Sequence, residues 1–308
     1  MTALRSVLSS PVLFVAVLSV AVLPVAAPLV AAEPEAAPSA TAEERRRQRL
    51  REELSASADW NQFLLTQAPD AKVEPVRVHR WTNDERDPQG EGIAVLWIGR
   101  GRPVAAASIY PWNGRLAHEL ESLSRETFVC RRDGAAMWTP QTGIEFTRVA
   151  DAEPPAESPA ARLRQMKGIA DRFTITMLGW KEDDSDREQL RRLPKEFFRY
   201  RPEAAGLLDG AVFAFVKGTD PEALFLVEAV AGEAGGASEW HYAIVRQTSG
   251  GVEARLGEQV VWTAPKHVFR RDPTKTFFSA DGPLAPSAVE ISPEEPKAVP
   301  APSQDVPK

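Results

Sequence analysis

Two stretches of this chain read alike at a separation of roughly 120 residues, as tandem copies of one unit would. Ala94-Val95-Leu96-Trp97-Ile98-Gly99, with its glycine turn and the run Val104 to Tyr110, stands beside Val212-Phe213-Ala214-Phe215-Val216-Lys217, the turn Gly218 to Glu222, and Leu224 to Val230. Farther along, Cys130 to Thr139 stands beside Ala254 to Thr263, and both stretches end in Trp-Thr. Short apolar runs separated by glycine turns are hairpin signals, so the chain must accommodate antiparallel strands in both halves. These features predict an α+β fold: a duplicated unit of one helix plus an antiparallel β-meander, related by a pseudo-twofold axis.

The helices come from capping signals. Thr41-Ala42-Glu43-Glu44 fits a capping box, which starts a helix through Leu54 that resumes over Trp60, Phe63 and Leu64 until Pro69. The arginines at 45–47, 49 and 51 are interleaved with Glu43, Glu44, Glu52 and Glu53, which makes them a solvated face with i,i+4 partners. Strands are expected at Val76 to Trp81, Gly92 to Ile98, Val104 to Tyr110, Leu116 to Ser124, Phe128 to Arg132 and Ala136 to Thr139. The proline-rich joint at 151–161 separates a first repeat, 33–150, from a second, 162–280. Ser158 caps and Pro159 opens the second helix, with Leu163, Met166, Ala170 and Phe173 as its apolar stripe. Strands follow at Leu190 to Tyr200, Gly210 to Lys217, Ala223 to Val230, Trp240 to Gln247, Val252 to Leu256 and Val260 to Thr263.

The ends point to export. Arg5, the apolar stretch Val12 to Ala32 and the small residues before Glu33 fit a signal peptide of residues 1–32 cleaved after Ala32. No cysteine follows it, so lipid attachment at a new N-terminus is closed to this chain, and no stable membrane anchor is expected after cleavage. Retention as an anchor is the competing reading, favoured by the downstream arginines and opposed by Pro24 and Pro28. The expected location is periplasm, cell envelope or exterior. From Asp281 to Lys308 prolines recur and large apolar side chains are scarce, which predicts a disordered tail.

Composition narrows function mainly by exclusion. A net charge of −6, with 37 basic and 43 acidic residues intermixed, makes no field to gather nucleic acid. One cysteine and four histidines leave little material for a Cys/His metal cage, and no metal or other cofactor is expected. The acidic run Asp183 to Glu188 lacks the glycine that a calcium loop needs and reads as a solvated loop.

The runs Gly101 to Tyr110, His118 to Ser124 and Asp209 to Glu222 resemble an uncharacterised family of exported planctomycete proteins, and the similarity spans Trp60 to Thr263. The resemblance implies export and one shared architecture. It carries no activity, ligand or catalytic residue with it.

Few residues suggest a site. Strand alternation puts His118, Leu120, Ser122 and Ser124 on one face and Glu119, Glu121 and Leu123 on the other. His118 with Ser122 or Ser124 is the nearest approach to a catalytic set, though no G-x-S-x-G elbow surrounds either serine. His241 is expected near the place of His118 in the second repeat, where a symmetric pair could share a ligand. Most of the eight tryptophans are expected in the core, and Trp112, on the turn Pro111 to Gly114, is the one nominated to touch a partner. Cys130 reads as a small buried hydrophobe. The sequence thus reads as a non-catalytic binding or structural protein of the envelope, its partner an unknown envelope protein or polymer. The alternative is an envelope hydrolase acting on a polymer.

Overall fold

The computed structural model describes residues 41–83, 90–179, 185–201, 206–232, 236–266 and 272–284. The expected signal peptide, Trp180, Asp183, Asp184 and the tail from 285 lie outside them.

Thr41 caps helix α1 (Ala42–Ser57): its hydroxyl accepts from the Glu44 amide at 3.1 Å, and its own amide donates to the Glu44 carboxylate at 2.6 Å. Arg46 and Arg47 pair with Glu43 one turn back, as their spacing predicts, whereas Arg51 reaches Glu91 far along the chain. A single 3₁₀ turn, Ala58–Trp60, ends the helix. The sequence reading carried helix through Phe63 and Leu64; they lie instead in strand β1 (Gln62–Leu65), because Phe63 and Leu64 pair with Cys130 and Val129. Tertiary pairing overrides a short apolar pattern that fits either element.

The meander follows as β2 (Val73–Thr82), β3 (Glu91–Gly99), β4 (Arg102–Trp112), β5 (Arg115–Ser122), β6 (Phe128–Arg132) and β7 (Ala135–Trp138). The β4–β5 and β6–β7 turns are Asn113-Gly114 and Asp133-Gly134, both residues of each at positive φ, as a two-residue turn matching strand twist demands. A two-residue strand β8 (Thr147–Arg148) precedes helix α2 (Pro159–Ala170), which Ser158 caps by accepting from the Ala161 amide. Phe173, assigned from sequence to that helix's stripe, opens strand β9 (Phe173–Leu178). It still packs beside Met166 and Ala170 in one core.

The expected strand Leu190 to Tyr200 is broken. After β10 (Glu188–Gln189), β11 (Arg191–Arg192) and β12 (Phe198–Tyr200) pair separately with β13 (Leu207–Lys217), and the chain between them contains Pro194, which has no amide to donate to the ladder. β14 (Asp220–Val230) starts earlier than expected, so Pro221 sits in the strand rather than the turn. Then come β15 (Glu239–Arg246), β16 (Gly251–Leu256), β17 (Gln259–Ala264) and β18 (Phe277–Pro283). Asp281 to Pro283, assigned to the tail from composition, are held in β18 by pairing with Ala117, Leu116 and Arg115.

Two large sheets form the centre, ordered β18-β5-β4-β3-β2 and β11-β13-β14-β15-β8, with β12 also on β13. The small sheets β1-β6-β7 and β10-β9-β16-β17 cover their outer faces, each with one helix. Phe63, Phe128 and Trp138 pack on Val95, Trp97, Ile109 and Leu120 in the first of these cores. Phe173, Phe225 and Tyr242 do so in the second. A third core lies between the large sheets, where Leu96, Ala106 and Leu123 meet Val212, Ala214, Leu226, Ala243 and Val245. Strands buried on both faces need no polar alternation, which is why β3, β13 and β14 read as continuous apolar runs. Among the described residues the last strand of each half sits on the other half's sheet: β8 pairs with β15, and β18 with β5.

Candidate functional site

His118 is fully buried on the face of β5 that turns toward the small sheet β1-β6-β7, paired with Ile109 and Ala280, and its ring stacks on Trp60 at 5.6 Å. Its Nδ1 receives Asn61 Nδ2 at 3.3 Å and Arg132 Nη2 at 3.4 Å, and Arg132 is fixed in turn by Asn61 Oδ1 and the Asp281 carbonyl. With two donors at Nδ1 the ring proton belongs on Nε2, which has no partner among the described residues. Burial, aided by the Arg132 charge, drives the His118 pKa down to about 3. Ser122 and Ser124 lie two and three alternations beyond, and each hydroxyl accepts a main-chain amide, that of Ser124 and that of Glu126. Among the described residues the structure brings neither a serine nor a carboxylate to His118.

His241 is not the counterpart of His118. When Val104–Tyr110 is laid on Leu224–Val230, Ile109 falls on Ala229; their partners are His118 and Trp240. His241, opposite Glu228, matches Glu119, opposite Ser108, so the two histidines face opposite ways. His241 lies 3.8 Å from Glu239 near the sheet edge. Trp112 is 52% exposed at the β4–β5 turn. Trp81, Trp97, Trp138 and Trp240 are buried, as is Cys130, whose thiol burial pushes up to about 12.

The cleft that can hold something lies elsewhere, beside the edge of β15. On that side β8 pairs only with His241 and Tyr242, because the chain before it turns away where the Ile144 amide donates to the Ser124 carbonyl. Next to the uncovered residues Ala243 to Arg246 lies a cleft of about 650 Å³. Val261 to Ala264 of β17 form one wall, Glu121, Thr276 and Phe277 the other, and the segment 142–145 closes one side. A volume of this size falls within the range of ligand sites, roughly 300–1,000 Å³.

Two buried ionisable groups meet there. Arg246 donates to the carbonyls of Thr248, Pro265 and Gly250 and lies over the Phe277 ring at 4.7 Å. Glu121 is 2% exposed, and its Oε2 has no partner among the described residues. Burial pushes the Glu121 carboxyl up to about 8, against the pull of Arg246 and a hydrogen bond from Thr276. Glu119, on the same face, accepts the Ser249 amide at 3.0 Å and leaves its own Oε2 unpartnered.

The sequence places Glu119 and Glu121 on one strand face with Leu123 and carries no local sign that this face is buried. The missing signal was that Leu123, on their side, lies in the core between the sheets. No family model, curated protein or solved structure matches the chain, so the reading of this cleft rests on its own residues.

Proposed function

We propose that this is an exported, non-catalytic binding protein of the cell envelope that holds its partner in the cleft beside β15. The observation that carries this reading is a recessed strand edge lying in a cleft of about 650 Å³, between walls from both halves of the chain. The signal-like residues 1–32 support export.

The same reading includes an internal duplication with a pseudo-twofold axis, and irregular features recurring at a near-constant offset support it. Register shifts at Trp97/Ile98 and Cys130/Arg131 recur at Phe215/Val216 and Ala254/Arg255. Trp81 lies over Gly92 as Tyr200 lies over Gly210, each ring where a Cβ on the facing glycine would stand. The exchange of β8 and β18 is the arrangement that two swapped copies would leave after fusion.

The test places a photo-crosslinking residue at exposed Thr263 on the cleft wall, or separately at Trp112, and irradiates each variant in an envelope extract. Adducts from 263 and not from 112 support the cleft. Adducts from 112 alone move the site to the turn, and none from either contradicts the proposal.

The second reading, an envelope hydrolase acting on a polymer, draws on Glu121: a carboxyl held protonated near neutral pH in a cleft is what a general acid requires. Hydrolysis of an envelope polymer by the intact chain, abolished by Glu121→Gln, would establish it in place of the binding reading.

A further inference from the structure

The two large sheets differ in how far their last strand is covered. β18 lies along β5 from Arg115 to Glu121, whereas β8 covers only His241 and Tyr242 of β15. The ladder fixes which way the next main-chain groups point. The Gln247 amide donates to the Glu222 carbonyl, so by alternation Ala243 and Val245 bond into β14. On the other side the Val149 amide donates to the Trp240 carbonyl, which places the N–H and C=O of Ile244 and Arg246 toward the cleft. Natural edges are commonly guarded by lysine, proline or a bulge. Ala243, Ile244 and Val245 carry none of these and the β14–β15 register is unbroken there; the one charged side chain, Arg246, is committed to the carbonyls of Thr248, Gly250 and Pro265.

We propose that the cleft binds an extended peptide segment of a partner protein, added as a strand antiparallel to β15 in line with β8. This rests on the binding reading above and names its ligand class. β18 seated on β5 shows what covers such an edge, and the missing pairs at Ile244 and Arg246 would supply up to four main-chain bonds.

The walls define the sequence that fits. A peptide residue opposite Ile244 points to the side of Val261 and Trp262, which pack against the core containing Ile244, and is apolar. The residue before it, opposite Val245, points between the sheets, where Val245 and Leu123 share a core and the Glu121 Oε2 lacks a donor. It carries a cationic donor, Lys or Arg, whose charge draws off the proton that the buried Glu121 carboxyl holds in the free chain. The motif is therefore a donor residue followed by an apolar one.

Phage-displayed random octapeptides panned on the intact chain, followed by fluorescence polarisation with synthetic peptides, test this. The expected result is enrichment of the donor-then-apolar pair, and at least tenfold weaker binding when the apolar residue's amide is N-methylated. Methylating the donor residue's amide, which points away from β15, should change binding less than threefold. Failure to enrich any peptide, or equal sensitivity to both methylations, overturns strand addition. If Thr263 still crosslinks to an envelope partner in either case, the binding reading stands and only the ligand class falls.

Discussion

The Tyr200 hydroxyl donates to the Glu228 carboxylate at 2.8 Å, at the point where Arg102 and Arg125 reach the same carboxylate from the other half of the chain. Arg125 also lies over the Phe146 ring at 3.7 Å. Glu228 is only 1% exposed, so its charge depends on these partners. Glu228→Ala takes the shared carboxylate from Tyr200, Arg102 and Arg125 at once, and because both arginines reach solvent the cost falls at the low end of the buried-pair range, about 3 kcal/mol. Tyr200→Phe removes one bond to a charged group, about 1.5–3 kcal/mol. Urea unfolding of both variants should rank them in that order.

Stability should respond to pH through two buried groups with opposite signs. The Glu121 carboxyl, raised to about 8 from an ordinary 4.5, keeps its proton in the folded chain where the unfolded chain has lost it. Its contribution is full below pH 4.5 and is lost as pH rises toward 8. Arg246 and Glu119 are the ionisable groups beside it. His118, lowered to about 3 from 6.5, remains neutral when folded, so its contribution is full above pH 6.5 and is lost as pH falls toward 3. Each slope is at most about 1.4 kcal/mol per pH unit. Unfolding midpoints across pH 5 to 8.5 should flatten on the alkaline side in Glu121→Gln and on the acid side in His118→Gln.

Gly92 and Gly210 are two of the places where a methyl group cannot fit. A Cβ would lie 2.2 Å from the Trp81 ring at one and 2.6 Å from the Tyr200 ring at the other. Gly92→Ala and Gly210→Ala should each destabilise by about 1–3 kcal/mol. Gly168, inside α2 with open space around it, is the control, and Gly168→Ala should stabilise by about 0.5–1 kcal/mol. Thermal melts of the three variants decide this.

A chain ending at Leu284 keeps β18, whereas one ending at Lys275 loses it. That removes Phe277, Phe278 and Ala280 from the core and bares the β5 edge, a loss of more than about 4 kcal/mol. Equal urea midpoints for the two truncations would refute the role given to β18.

How much of this was legible depended on whether the deciding force was local. The Thr41 capping box, the Ser158 cap and the turn ending in Asn113-Gly114 are set by neighbours in sequence, and each is legible there. Phe63, Phe173 and Asp281 were misassigned because their strands are defined by partners far along the chain: β6, β16 and β5. The cleft was illegible for the same reason. Glu121 and Arg246 belong to different sheets, and only the packing of the halves brings them together.

Amide hydrogen exchange along β15 in the free chain tests the central claim most directly. Ile244 and Arg246, whose amides face the cleft, should exchange much faster than Ala243 and Val245, which bond into β14. Equal, slow exchange at all four would mean that the edge is already covered, and the cleft beside β15 would not be where this protein takes its partner.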